Sequence, residues 1–159
     1  MTPSPGRVLN YGSLNEDRVY RVRSIARPGE TVRSHEYRLF AGGKGANQSV
    51  ALAQAGARVW HAGKLGKDAG WLREKLAGCG VNVERVIQCD RPTGHAVIQV
   101  DDAGENSIVV FPGTNLEITE EERTQALAGF GAGDFLLLQN EINDYEVYPV
   151  VQAGLTLSF

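Results

Sequence analysis

Between Ala41 and Ser49 the chain reads AGGKGANQS, which places the glycine pair Gly42 and Gly43, Lys44 and Asn47 at the start of an alanine-rich stretch. Paired glycines let a backbone approach a ligand closely, and a helix that begins there adds unsatisfied N–H donors. Asn47 offers both a donor and an acceptor. Such an inventory suits a polyhydroxylated molecule. It does not make a nucleotide loop: G-x-x-x-x-G-K-[ST] fails because Lys44 precedes Gly45 with no Ser or Thr after it, and G-x-G-x-x-G fails at Gln48. Local chemistry leaves a second reading open, a glycine turn that feeds a helix and carries an incidental lysine.

Asn15 and Asp17, in YGSLNEDRVY, are the next polar pair with chemical capacity. A desolvated carboxylate can accept from two neighbouring hydroxyls, but local chemistry alone favours a turn for Asn and Asp after Gly12. His35, His61 and His95 show no metal-ligand spacing and read as structural or exposed, and no metal site is expected. Trp60 and Trp71 read as packing residues. Cys79 and Cys89, the only cysteines, match no metal or redox spacing and read as reduced, structural thiols.

Short apolar runs and helical stretches alternate along the chain, as βαβ units around a mostly parallel sheet require. Residues 7–12, 57–63 and 134–139 suit buried strands; 46–55, 68–77 and 120–127 suit helices. Thr119 with Glu122 fits a capping box, and Gly56 and Gly78 stand where left-handed C-terminal caps are expected. Four further segments, 18–23, 31–40, 95–100 and 106–111, are β-rich but mixed in polarity, and DDAGE between the last two is a hairpin signal. They predict an antiparallel flap with one wet face, placed to act as a lid.

Composition bounds what these elements can do. The 159 residues, 42% hydrophobic and 22% charged, suffice for one ordinary core. A net charge of -3 argues against a nucleic-acid or anionic-membrane surface. No signal-like start and no apolar run of about 18 residues is present, so a cytoplasmic location is expected.

The run GGKGANQSVALAQAG, continuing to HAGKLG, resembles the N-terminal signature of the ribokinase-like (PfkB) carbohydrate kinase family. YGSLNEDRVY, GKLGKDAGW, TGHAVIQVDDAGENSIVVFPGTN and LLLQNEI follow in that family's order, so the resemblance covers almost the whole chain; GGKGANQ and PGTN look most like its ribokinase branch. The resemblance implies a three-layer α/β/α core, incomplete here, with a small antiparallel β-lid inserted at about 16–40 and 94–111. It further implies an ATP- and Mg2+-dependent kinase that phosphorylates a primary hydroxyl of ribose or a related sugar, and a possible homodimer formed through the lid. Asn15, Asp17, Gly42, Gly43, Lys44, Asn47 and Glu141 take the family's sugar-binding roles.

Phosphoryl transfer also needs a base and a metal-nucleotide site. In the family the base is the final Asp of D-T-x-G-A-G-D in the C-terminal half. The GAGD of Gly131 to Asp134 imitates that motif, but Ala128 and Gly129 replace its Asp and Thr, and a strand follows instead of a helix. Asp134 is therefore not assigned as a base, and no catalytic residue is expected within the chain. GLTLSF, Gly154 to Phe159, looks like the start of the next strand, and Pro149 stands where a helix would run. A fragment of a longer kinase, or a truncated sugar-binding or dimerising module with an exposed sheet edge and marginal stability, is expected.

Overall fold

The computed structural model describes residues 6–143. In chain order its elements begin with β1 (Arg7–Tyr11), β2 (Asn15–Arg21), β3 (Glu36–Gly42), α1 (Lys44–Gln54) and β4 (Arg58–Gly66). They continue with α2 (Gly70–Gly78), β5 (Asn82–Cys89), β6 (Gly94–Val100), β7 (Asn106–Phe111), α3 (Glu120–Leu127) and β8 (Phe135–Leu138). β5-β4-β1-β8 form an all-parallel sheet, and β3-β2-β6-β7 form a second sheet.

Side-chain alternation divides the parallel sheet into two apolar faces. Val59 and Leu65 pack with Ala46 of α1 and with Leu72 and Leu76 of α2. Leu9, Tyr11, Ala62 and Leu136 face the other way, against Ala126 of α3, Ile118 and Ile142. The result is the α/β/α layering expected.

Helix ends follow the sequence signals, with one shift. Thr119 accepts from the Glu122 N–H while Glu122 reaches back to the Thr119 N–H, completing the capping box of α3. α1 ends in a Schellman motif: Gly56, at φ 87°, donates to Ala53, and Ala57 donates to Leu52. Gly78, expected as a cap, is instead the last residue of α2. Gly80, at φ 86°, takes the left-handed position, donating to Ala77 while Val81 donates to Leu76. Val81 and Leu76 both enter the core, and this apolar contact sets where the chain turns.

The second sheet needs a correction. Its two hairpins are antiparallel, β2 with β3 and β6 with β7, but the central pair β2 and β6 is parallel, so the sheet is mixed. The cause is connectivity: Asn15 pairs with Gly94, so both strands enter the sheet at the same end and run outward side by side. β2 also starts at Asn15, earlier than the 18–23 segment, which puts Asn15 and Asp17 on a strand and not in a turn. Strand β5 escapes the pattern of short apolar runs because it is an edge strand with one wet face, interrupted by Glu84 and Gln88. Among the described residues no helix is long and apolar enough to cross a membrane. GLTLSF and Pro149 lie outside the described residues.

Candidate functional site

The site gathers where β1 and β8 end, at the carboxyl edge of the parallel sheet, where open α/β sheets place their ligands. Gly12 and Ser13 follow β1, Gln139 and Glu141 follow β8, and the glycine pair joins β3 to α1. Gly43 takes φ 95° at the N-cap of α1, a conformation open to glycine, and a Cβ there would stand 2.6 Å from the Ser13 carbonyl. With that approach made, the Ser13 carbonyl accepts from the Ala46 N–H at 3.0 Å and stands in for the missing side-chain cap.

Glu141 is drawn into this corner by two partners. The Ser13 hydroxyl donates to its Oε2 at 3.0 Å, and the Lys44 ammonium pairs with its Oε1. Gln139 Oε1 in turn accepts from the N–H groups of Glu141 and Ser13. Burial pushes the Glu141 carboxyl up, but Lys44 and Ser13 outweigh it and hold it below the ordinary glutamate value. Lys44 is itself exposed, so its ion pair with Glu141 contributes little to stability and can be exchanged for a ligand contact.

Asp17 lies over Gly42. A Cβ on Gly42 would come within 2.3 Å of the Asp17 carboxylate, so only glycine leaves the side chain this position. Half-burial, and then the nearby Glu141 charge, raise the Asp17 carboxyl above its ordinary value. An acceptor that is partly desolvated and pairs with no cation among the described residues is suited to ligand hydroxyls. Asn15, opposite Gly42 in the β2–β3 ladder, is buried, and its Oδ1 accepts from Asn115 Nδ2 at 2.7 Å. Asn47 is exposed on the first turns of α1, three residues from Lys44 and so on the same side of the helix.

The structure thus gathers Asp17, Gly42, Gly43, Lys44 and Glu141, with Asn15 and Asn47 at the margins. Ser13, Gln139 and Asn115 are site residues that sequence reasoning passed over. All three stand inside quoted stretches, YGSLNEDRVY, LLLQNEI and PGTN, which was the available signal. Below the site, Asn10 Nδ2 donates to the Gly45 carbonyl and to Ser49 Oγ, and Ser49 Oγ lies 2.8 Å from His61 Nδ1. These fully buried groups fasten α1 to β1 and β4. Desolvation pulls the His61 imidazole down to about 4, against a smaller upward pull from the Gly12 carbonyl, so it is neutral. His61 is therefore structural, as expected.

Asp134 is occupied elsewhere. Its carboxylate takes Arg7 Nε at 3.0 Å and Nη2 at 2.5 Å and accepts from the Arg7 and Gly131 N–H groups, which together hold it far below the usual carboxylate range. It serves the turn before β8. Among the described residues, no group of three or more His, Cys, Asp or Glu side chains is arranged to hold a metal ion.

Comparison with known proteins agrees with this architecture. A ribokinase of Haemophilus influenzae is 37% identical over 133 residues, 82% of this chain and 44% of the relative. The crystal structure of a Cryptococcus neoformans ribokinase in complex with ADP superposes with a TM-score of 0.81 at 38% identity, covering 96% of this chain and 48% of the other. An Arabidopsis thaliana ribokinase complexed with ribose and ATP gives a TM-score of 0.78 at 32% identity, covering 97% and 52%. The chain therefore spans about half the length of these relatives. The family model described as pfkB family carbohydrate kinase matches residues 6–151, and the chain belongs to that family.

Proposed function

We propose that the cleft binds ribose or a closely related sugar, and that the chain is the sugar-binding half of an ATP-dependent kinase acting on a primary hydroxyl. The observation that carries this is the half-buried, uncompensated Asp17 carboxylate lying over Gly42 and facing the Ser13–Glu141–Lys44 cluster. Asp17 accepts from sugar hydroxyls, Asn15 and Asn47 add amide contacts, Lys44 exchanges Glu141 for an oxygen of the sugar, and the N–H groups around Gly42 and Gly43 line the floor. The second sheet acts as a lid over the bound sugar, and the chain works in the cytoplasm.

ATP and Mg2+ are the cosubstrates on this reading, and the base and nucleotide groups come from the C-terminal half of such kinases. Asp134 does not supply the base, since it is tied to Arg7. A coupled assay of ADP release with ATP, Mg2+ and ribose is the test: this chain alone is expected to show no turnover, and ribose-dependent turnover would overturn the assignment of the base to residues outside it.

A second reading, a non-catalytic module that pairs through the lid, is favoured by one feature. One face of the second sheet exposes Tyr37, Leu39, Val97, Val109 and Phe111, each at least 36% accessible. Apolar residues clustered in this way mark an interaction surface, and we assign it to a second copy of the chain.

A further inference from the structure

Asn115 is 1% exposed and its amide is held by one backbone residue on both sides. Its Oδ1 accepts from the Leu14 N–H at 2.9 Å, and its Nδ2 donates to the Leu14 carbonyl at 3.2 Å. A backbone N–H can only donate and a carbonyl can only accept, so Leu14 permits one orientation of the Asn115 amide. In that orientation Nδ2 also points at Asn15 Oδ1, 2.7 Å away. The Asn15 amide is fixed in turn: its oxygen is engaged by Asn115, and its Nδ2 has no hydrogen-bond partner among the described residues. Gly94 makes room for the pair, since a Cβ there would stand 2.2 Å from Asn115 Nδ2 and 2.4 Å from Asn15 Oδ1.

We propose that Asn115 is a positioning residue that sets the polarity of Asn15, so that the cleft offers an N–H donor at Asn15 beside the acceptor at Asp17. The two residues are i and i+2 on β2 and share one face of the strand. A donor next to an acceptor matches vicinal hydroxyls, where one oxygen accepts from Asn15 and an O–H donates to Asp17. A reversed Asn15 amide would set two acceptors side by side and leave a sugar oxygen facing an acceptor, the kind of mismatch that binding sites reject strongly. The inference rests on the sugar-binding reading for its ligand and on hydrogen-bond geometry alone for the amide orientation.

Two measurements on the full chain separate these parts. In a 13C,15N-labelled sample, trans-hydrogen-bond couplings are expected from Leu14 N to Asn115 Cγ and from Asn115 Nδ2 to Asn15 Cγ. A coupling from Asn15 Nδ2 to Asn115 Cγ, or none between the two side chains, would overturn the proposed orientation. Asn115→Asp keeps the acceptor for Leu14 but has nothing to donate to Asn15, so ribose affinity is expected to fall roughly tenfold or more. Asn15→Asp replaces the donor without disturbing Asn115 and is expected to lose a similar factor. Affinity within about twofold of the unsubstituted chain in Asn15→Asp would overturn the polarity argument whether or not Asn115→Asp folds. The expected couplings in a chain that binds no ribose would instead sink the sugar reading and leave the amide orientation standing.

Discussion

Asp17 is held in place at a cost to the fold. Its folded carboxyl titrates above its unfolded value, so the unfolded state is the more readily ionised one, and the desolvated charge lowers stability at neutral pH. That penalty fades as pH falls through the folded value towards the unfolded one. Asp17→Asn is therefore expected to raise Tm at pH 7, with the gain shrinking towards pH 4, while ribose affinity is lost; thermal scans at both pH values and a binding titration check this. His61 has the opposite sign. With a folded value of about 4 against an ordinary value of 6.5, protonation favours the unfolded chain, so its contribution is complete above about 6.5 and is lost as pH falls towards 4. Full burial makes the effect on the order of 3 kcal/mol, and urea titrations should show a shallower acid slope in His61→Gln. At this scale local chemistry singled out the glycine pair and Lys44, because paired glycines at a helix start are a short-range pattern, whereas Asp17 and Glu141 stood out only through the family resemblance. The sequence hid Ser13 and Asn115, whose roles arise from contacts 128 and 101 residues away in the chain.

The elements were legible where local chemistry governs them. The capping box of α3 stands entirely within four residues, Thr119 to Glu122, so it could be read directly. Thr119→Ala is expected to cost about 1 kcal/mol in denaturant titrations and to leave ribose affinity unchanged, because α3 packs on the face of the sheet away from α1. What was misplaced depended on packing or pairing. The left-handed cap of α2 moved from Gly78 to Gly80 because Val81 must reach Leu76, and the parallel pairing of β2 with β6 followed from where two distant strands enter the sheet. Strand β5 was missed because an edge strand keeps polar residues on its wet face.

At the scale of the whole molecule, two sheets divide the work: the parallel one carries the core and the corner of Ser13 and Glu141, and the mixed one carries Asn15, Asp17 and a broad apolar surface. If that surface pairs two copies, Val109→Asp, at a side chain 69% accessible, should shift the chain from dimer to monomer in sedimentation without unfolding it. A monomeric unsubstituted chain would refute the pairing. The central claim, that the cleft between the sheets is a sugar site, is tested most directly by titrating ribose into the chain and into Gly42→Ala by calorimetry. Alanine at this position forces the Asp17 carboxylate aside while leaving the core residues untouched. Saturable binding by the chain that is lost in Gly42→Ala is the expected result. Binding of equal strength in both, or none by a folded chain, would contradict it.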